Sequence, residues 1–567
     1  MKKSNLKYLA FASLTACVLA SCGQSGGADD STTTTLSVLI FNGTGGKEWV
    51  TEAASRFSQA NADVSFQDGK KGIKIRTATA KGITWTEHMR DSGYDVYIYE
   101  TNPDMYQLSA QNYLLDLSDV VEPIKDKIEV DLLERMKGTD GKYYGLPHYE
   151  WFPGLTYDKD LFDDKNLYFA DPSVEAGDKE TYSCKYGSAD FVAAKDVTKS
   201  VGPNGVKGDY DDGLPSSLEE LCVLFDKMKD LGISPMVLCG SGHRYSWYLP
   251  IALWASLTGG DGMRDVYCNW TDAEVDVVTE TEGDWKGAGD LFYSGSSIKK
   301  PTTKKVKLDD NNGYQIYSMA NRYYALAFFQ NALNENWLDS EQLADSNGSA
   351  SQAQKWFVNG YNTRRFGTIW EGSYWCHEAT DVGAFKTYKA QHPSSPDRHT
   401  AFMPLPTQLE GQVTEGNGKK PTLLNVGSTM VFANARTVSA GTDKAAKEFI
   451  KFIYSDNELA AFSEKTGLTV PMSYSYDMSK LNNSYYSDLA TLRKDADVVQ
   501  CSSASTRFKK NLSSFIISYD MKLTNFDAGG VGITGGYLDA FKKYGSTADD
   551  IFDKTKISES TWSNMSK

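Results

Sequence analysis

Three short stretches concentrate aromatic rings. They are His148-Tyr149-Glu150-Trp151-Phe152, the run holding Tyr245, Trp247, Tyr248 and Trp254, and Glu371-Gly372-Ser373-Tyr374-Trp375. The first and third also hold a carboxylate; rings offer flat faces to C–H groups, while carboxylates and amides offer fixed partners to hydroxyls, so together they suit a polyhydroxylated ligand. A buried hydroxyl left unpaired costs about 1–3 kcal/mol, which makes polar placement the source of selectivity. Catalysis is less well served. His88, His148, His243, His377, His392 and His399 form no H-E-x-x-H or comparable pair, so neither a catalytic zinc nor any other metal site is expected. Glu150 and Glu371 would act on a glycoside only if they stood about 5–10 Å apart across it. Asp209-Tyr210-Asp211-Asp212-Gly213 clusters the hard oxygens calcium prefers. It lacks the spacing and final Glu of an EF-hand, and a surface loop is expected. Gly45-Gly46 before a helix could turn backbone N–H groups to an anion, although glycine there also serves the turn. Arg364 and Arg365 precede a strand and are the basic pair a phosphorylated ligand would want.

The elements that must hold these residues read as mixed α/β. Leu36 to Phe41 is a short apolar strand, followed by the glycine-rich turn Asn42 to Gly46. Trp49, Val50, Ala53, Ala54 and Phe57 then recur at helical spacing. Ile73 and Ile75 mark a second strand and Tyr94 to Tyr99 a third. Strand-helix-strand order implies a largely parallel sheet, whose ligands bind beyond the carboxyl ends of the strands. A helix is expected from Ser216 or Ser217, with Leu218, Leu221, Phe225 and Met228 as its buried stripe. The stretch 168–215 before it, polar and glycine-rich, reads as a surface insertion. Later strands are expected at Phe366 to Trp370 and Val426 to Ala433, a helix around Phe449 and Ile450, and a capping box at Ser455 to Glu458. No fixed-period repeat is present, which excludes solenoids and propellers.

The chain has 567 residues and a formal charge of −15. Loss of Lys2, Lys3 and Lys7 with a leader would leave −18, which argues against nucleic acid and anionic lipid as partners. Such a leader is visible: Lys2, Lys3 and Lys7, then an apolar run from Tyr8 to Ala20, too short to span a bilayer. The run ends Leu19-Ala20-Ser21-Cys22-Gly23 and resembles a bacterial lipobox, whose cysteine is lipidated. Residues 1–21 are thus the expected signal peptide, and 22–35 the lipidated Cys22 with a flexible tether. Cys184, Cys222, Cys239, Cys268, Cys376 and Cys501 include no C-x-x-C pair, which excludes a zinc ribbon. Export permits disulfides, but no pairing follows from the spacing, and Cys222 between Leu221 and Val223 reads as a buried thiol.

Several motifs, in order, resemble the extracellular solute-binding proteins of carbohydrate ABC importers, the family that includes maltose-binding protein. They are the strand Asp95 to Tyr99 with Leu114-Leu115-Asp116-Leu117, Gly145-Leu146-Pro147 with Tyr157 to Phe162, Phe357-Val358-Asn359-Gly360 with Glu371 to Trp375, and Thr466 to Pro471. Asp158 stands where the family commonly has Asn, and Tyr374 where it commonly has Trp. The resemblance implies an α/β, two-lobed periplasmic-binding-protein-like fold with a hinge and an inter-lobe cleft. Lobe 1 would take 36–147 plus 426–475, and lobe 2 would take 148–425 plus 476–567 with the insertion near 168–215. Crossings would lie near 146–149, near 424–428 and after 471. The implied ligand contacts are Asn42, Thr44, Glu100 and Asn102 in lobe 1, Tyr149, Glu150 and Trp151 at the first crossing, and Trp247, Trp254, Glu371 and Tyr374 in lobe 2. The implied role is non-enzymatic and cofactor-free: a lipid-anchored monomer outside the cell that captures a sugar or oligosaccharide and delivers it to ABC permease subunits. A ligand sensor or adhesin of the same fold is the alternative role. A polyamine-type solute, held by Glu100, Glu150 and Glu371, is the alternative ligand.

Overall fold

The structure, a computed structural model, describes residues 32–565 except 42, 44, 81–82, 101–104, 195–197, 239–244, 285–298, 345–348, 428, 482, 504, 512–525, 528–531, 534–535 and 543. The chain first lays down β1 (Thr34–Phe41), β2 (Ile73–Ala80), β3 (Val96–Glu100) and β4 (Gly145–Pro147). It crosses and builds β5 (Pro153–Asp158), β6 (Tyr168–Phe169), β7 (Glu180–Cys184), β8 (Gly187–Val192) and β9 (Ser234–Leu238). A hairpin of β10 (Glu274–Asp284) and β11 (Lys299–Lys307) follows, then β12 (Phe366–Gly372), β13 (Thr400–Met403) and β14 (Thr422–Asn425). The chain returns for β15 (Thr429–Ala433) and leaves again for β16 (Asp497–Gln500).

Two principal sheets result. One has the order β2-β1-β3-β15-β4, with β1 parallel to β2 and β3 and with β15 antiparallel to β3 and β4. The other has the order β13-β5-β12-β9, with β9 and β12 parallel and β5 antiparallel between β12 and β13. Strands covered on both faces are buried throughout, and β12 and β15 are buried at every position. Helices supply the covers. In Glu48–Ala60, Trp49, Val50, Ala53, Ala54 and Phe57 are buried, as their spacing predicts, and Phe57 meets Phe449 of Asp443–Ile453 at 5.4 Å. Ser217 opens Leu218–Asp230 with a full capping box, its Oγ accepting from Glu220 N–H at 3.1 Å. Among the described residues no helix is long and apolar enough to cross a membrane.

Three sequence expectations need correction. Ser455 does precede the helix Asp456–Thr466, but its side chain makes no cap bond, because the Glu458 carboxylate is drawn to Arg56 at 2.6 and 2.8 Å. The strand expected from Val426 starts only at Thr429, because Val426 and Gly427 are spent on the crossing. The stretch 168–215 is not merely a polar surface loop. It forms the sheet β6-β8-β7 over Leu218–Asp230, burying Phe169, Phe191, Val192 and Leu214, while Lys227 lies over the Phe191 ring at 4.5 Å and pairs with Glu180 at 2.8 Å. Asp211 is buried there and accepts from Asn204 N–H at 3.1 Å. Burial and the neighbouring Asp209 raise its carboxyl to about 9. Among the described residues no group of His, Cys, Asp and Glu is arranged to hold a metal ion. Cys222, Cys268, Cys376 and Cys501 are buried, Cys222 fully, as expected of it.

The two sheets are joined by crossing segments that bond to one another. His148 N–H donates to Thr429 O at 2.8 Å, Glu150 N–H to Thr469 O at 2.9 Å, Trp151 N–H to Asn425 Oδ1 at 3.3 Å and Val426 N–H to Trp151 O at 3.2 Å. Gly427 fits because any Cβ there would lie 2.8 Å from Tyr149 O. The His148 ring is sealed in by Trp49 and Phe462 at 4.7 and 4.8 Å, with both nitrogens unpartnered. Burial lowers its pKa to about 3. An unfolded histidine titrates near 6.5, so the stability tied to the neutral ring is complete above that pH and is lost as pH falls toward 3. Between pH 6 and 4.5 this residue should remove about 1.4 kcal/mol of unfolding free energy per pH unit. Urea unfolding at stepped pH should show His148→Phe with a slope shallower by about that amount; equal slopes would refute the assignment.

Candidate functional site

The carboxyl ends of β9 and β12, the start of β5 and the first crossing come together at one end of the second sheet. Four rings converge there. Trp151 lies 5.2 Å from Tyr248, 5.1 Å from Tyr374 in edge contact and 6.4 Å from Trp247. Trp247 and Tyr245 pack on Tyr248 at 4.5 and 5.0 Å, and the Tyr248 and Tyr374 hydroxyls are 3.1 Å apart. The rings arrive on three elements. Trp151 ends the crossing, Trp247 and Tyr248 begin the helix Tyr248–Thr258 after β9, and Tyr374 begins Trp375–Asp381 after β12. Ser373 binds the turn to the crossing, its N–H to Phe152 O at 2.8 Å and its Oγ accepting from Phe152 N–H at 3.1 Å. Burial and the neighbouring phenols push the Tyr374 hydroxyl well above its usual range, so it stays a neutral donor. The indole N–H groups of Trp151 and Trp247 are buried and meet no acceptor among the described residues. Such a group forfeits about 1–3 kcal/mol until an acceptor reaches it.

The other lobe closes on this floor at its edge. Tyr149, beside Phe462, lies against Gly45, where a Cβ would stand 3.5 Å from its ring. A Cβ on Gly46, whose φ is +61°, would stand 3.5 Å from His377 Nε2 on Trp375–Asp381. The β1 turn of one lobe therefore touches the first helix after β12 in the other.

Of the residues expected from sequence, Trp151, Trp247 and Tyr374 form the cluster and Tyr149 borders it. Glu150 points elsewhere. It is only 2% exposed, its Oε1 accepts from Thr469 Oγ1 at 2.6 Å and from Arg493 Nε, and its Oε2 has no partner. It is a hinge tie, not a rim charge. Glu371 faces helix Ala350–Asn359, with both oxygens 3.3 Å from Gln354 Nε2. Trp254 is turned into the lobe interior, against Tyr317 at 6.4 Å and the buried Arg322 at 5.9 Å. Seven residues past Trp247, nearly two helical turns further along, it packs in the lobe interior instead of at the floor. Arg364 and Arg365 sit at the amino end of β12, the opposite end from the cluster. Asn42, Thr44, Asn102 and Cys22 lie outside the described residues, as does the Glu100 side chain. Tyr248 and His377 were missed as site residues. Tyr248 carried a signal, standing next to Trp247 at a helix start, whereas nothing local marks His377.

No known family profile matches the sequence, and no curated protein matches it. Solved structures do match by shape. A solute-binding protein, RafE in complex with raffinose, is 12% identical, with 92% of this chain and 99% of that chain covered and a TM-score of 0.50. A protein from work on xylan utilization by Caldanaerobius polysaccharolyticus is 12% identical, with 92% and 99% covered and a TM-score of 0.52. A probable secreted solute-binding lipoprotein of Streptomyces coelicolor is 13% identical, with 94% and 100% covered and a TM-score of 0.52. The chain has the two-lobed α/β fold of these solute-binding proteins.

The Glu150 tie makes a direct prediction. Removing one partner of a largely buried ion pair strands the other, so Glu150→Ala should lower unfolding free energy by about 2–4 kcal/mol in urea titration. A loss below about 0.5 kcal/mol would show that the tie does not hold the hinge.

Proposed function

We propose that this protein is a lipid-anchored extracellular binding protein that captures a sugar or oligosaccharide between its lobes and delivers it to an ABC permease. The aromatic floor of Trp151, Trp247, Tyr248 and Tyr374 carries the reading. It lies where ligands of such sheets bind, beyond the carboxyl ends of the strands, and it brings together aromatic rings, neutral phenols and two indole donors that meet no acceptor among the described residues. Sugar rings bring C–H faces for the first and hydroxyl oxygens for the last. In this reading, lobe closure over the ligand is a hinge motion about the bonded crossings.

The chemistry of the site supports binding over turnover. A glycosidase needs two carboxyl groups free to act across the sugar. Glu150 is committed to Arg493 and Thr469, and Glu371 to Gln354. The same engagements weaken a polyamine reading, which needs free carboxylates, and the position of Arg364 and Arg365 weakens a phosphate reading.

Thermal unfolding of the tether-free body should respond to one oligosaccharide series in a panel that also holds polyamines and sugar phosphates. Saturation to one hundred times the dissociation constant adds about 2.7 kcal/mol of stability. For the responding sugar, Trp247→Ala and Tyr374→Ala should each weaken binding at least about tenfold by calorimetry, with far-ultraviolet dichroism unchanged. A response to polyamines alone would overturn the sugar, and unchanged affinity in both variants would overturn the floor as the site. Separately, Cys22→Ala should abolish incorporation of labelled palmitate by expressing cells; retained label would refute the anchor.

A further inference from the structure

One large cavity is not near the aromatic floor. It has a volume of about 740 Å³ and opens at the opposite pole of lobe 2, among Asp163, Asn359, Tyr361, Asn362, Tyr388 and Gln391. That volume is within the roughly 300–1,000 Å³ of small-ligand sites. Three guanidinium groups, of Arg364, Arg365 and Arg398, also wall it, which at first suggests an anion. Each is already neutralised. Arg364 pairs with Asp339 at 3.0 Å, Arg365 with Asp158 at 2.5 Å and Asp164 at 3.3 Å, and Arg398 lies 3.7 and 3.8 Å from Asp158 and Asp160. The wall is therefore electrically balanced but dense in fixed planar donors and acceptors.

Two aromatic residues complete it. Tyr388 is already covered, by the Arg398 guanidinium at 4.4 Å and by His392 at 4.9 Å. Tyr361 is stacked on Trp356 at 4.0 Å and 18°, and it is only half-buried while lining the cavity. It is held there by a tight turn in which Tyr361 and Arg364 exchange both backbone hydrogen bonds. The turn puts Asn362 at φ +48° and Thr363 at φ +65°. For a β-branched residue that is a strained conformation, which the surrounding structure must enforce.

We propose that this pole cavity is a second carbohydrate site, separate from the cleft, in which Tyr361 is the stacking platform and the amides of Asn362 and Gln391 and the carboxylate of Asp163 bond ligand hydroxyls. A neutral, hydroxyl-rich ligand matches a balanced wall, whereas an anion would meet Asp160, Asp163 and Asp164. The proposal deepens the carbohydrate reading of the molecule but does not depend on the cleft.

The test is calorimetric titration of the tether-free protein with maltohexaose, xylohexaose, chitohexaose and, as the anion control, sodium citrate. Trp247→Ala should leave a residual binding phase for one hexasaccharide. Tyr361→Ala should weaken that phase at least about tenfold. Gln391→Trp, on an exposed helix end, should block it by bulk without touching the core. Complete loss of sugar binding in Trp247→Ala alone would overturn the pole site and leave the cleft standing. A phase lost only in Tyr361→Ala and Gln391→Trp would keep the pole site and overturn the cleft. Citrate binding lost in the same two variants, or no hexasaccharide phase at all, would overturn the carbohydrate assignment of the cavity.

Discussion

The Glu150 carboxylate has almost no contact with water, so its charge must be matched by the chain itself. The matching groups come from two other segments. Thr469 belongs to the third crossing, and Arg493 to the helix Ser484–Asp495 beyond it. The backbone of Glu150 bonds to Thr469 as well. Pinning this one residue fixes both neighbours, because in an extended chain the side chains on either side of it leave on the face opposite its own. Tyr149 is sent toward Gly45 of lobe 1 and Trp151 toward the ring cluster of lobe 2. The site geometry is thus inherited from an ion pair that no ligand needs to touch.

The ring cluster itself is a compromise between stability and use. Indole and phenol rings contribute large buried areas and few rotatable bonds, which makes a rigid floor from residues drawn from three elements. Yet the floor leaves donors unmet at Trp151 and Trp247. Core indoles at Trp337, Trp370 and Trp375 also meet no acceptor among the described residues. Trp254 carries an unmet indole too, but beside Tyr317 and Arg322 in the interior of the lobe, so an unmet donor gains functional meaning from its position at the strand ends.

Much of the framework was legible in sequence because its signals are local. The helical spacing of Trp49, Val50, Ala53, Ala54 and Phe57, and the Ser217 cap, needed nothing beyond the neighbouring residues. What failed were choices between partners distant in sequence. Glu458 is bonded to Arg56, and Glu150, expected as a ligand contact, is bonded to Arg493. Trp247 and Trp254 were indistinguishable by type, and nearly two turns apart they share almost the same helix face, so only depth along the helix separates floor from core. The insertion at 168–215 was misread because its few apolar residues are spread through polar turns and pack only against Leu218–Asp230.

The placement of β15 bears on how the molecule is made. It lies between β3 and β4, and β4 bonds to no other strand in that sheet. A chain emerging from its N-terminus therefore displays β3 with a bare edge, and β4 with no partner, until residues 429–433 arrive. The intervening lobe can meanwhile complete most of its own sheet. An open strand edge is a template for pairing with other chains, so a half-made molecule is at its most aggregation-prone during that interval. Any chaperone that serves this protein has a defined target: the unpaired side of Val96–Glu100.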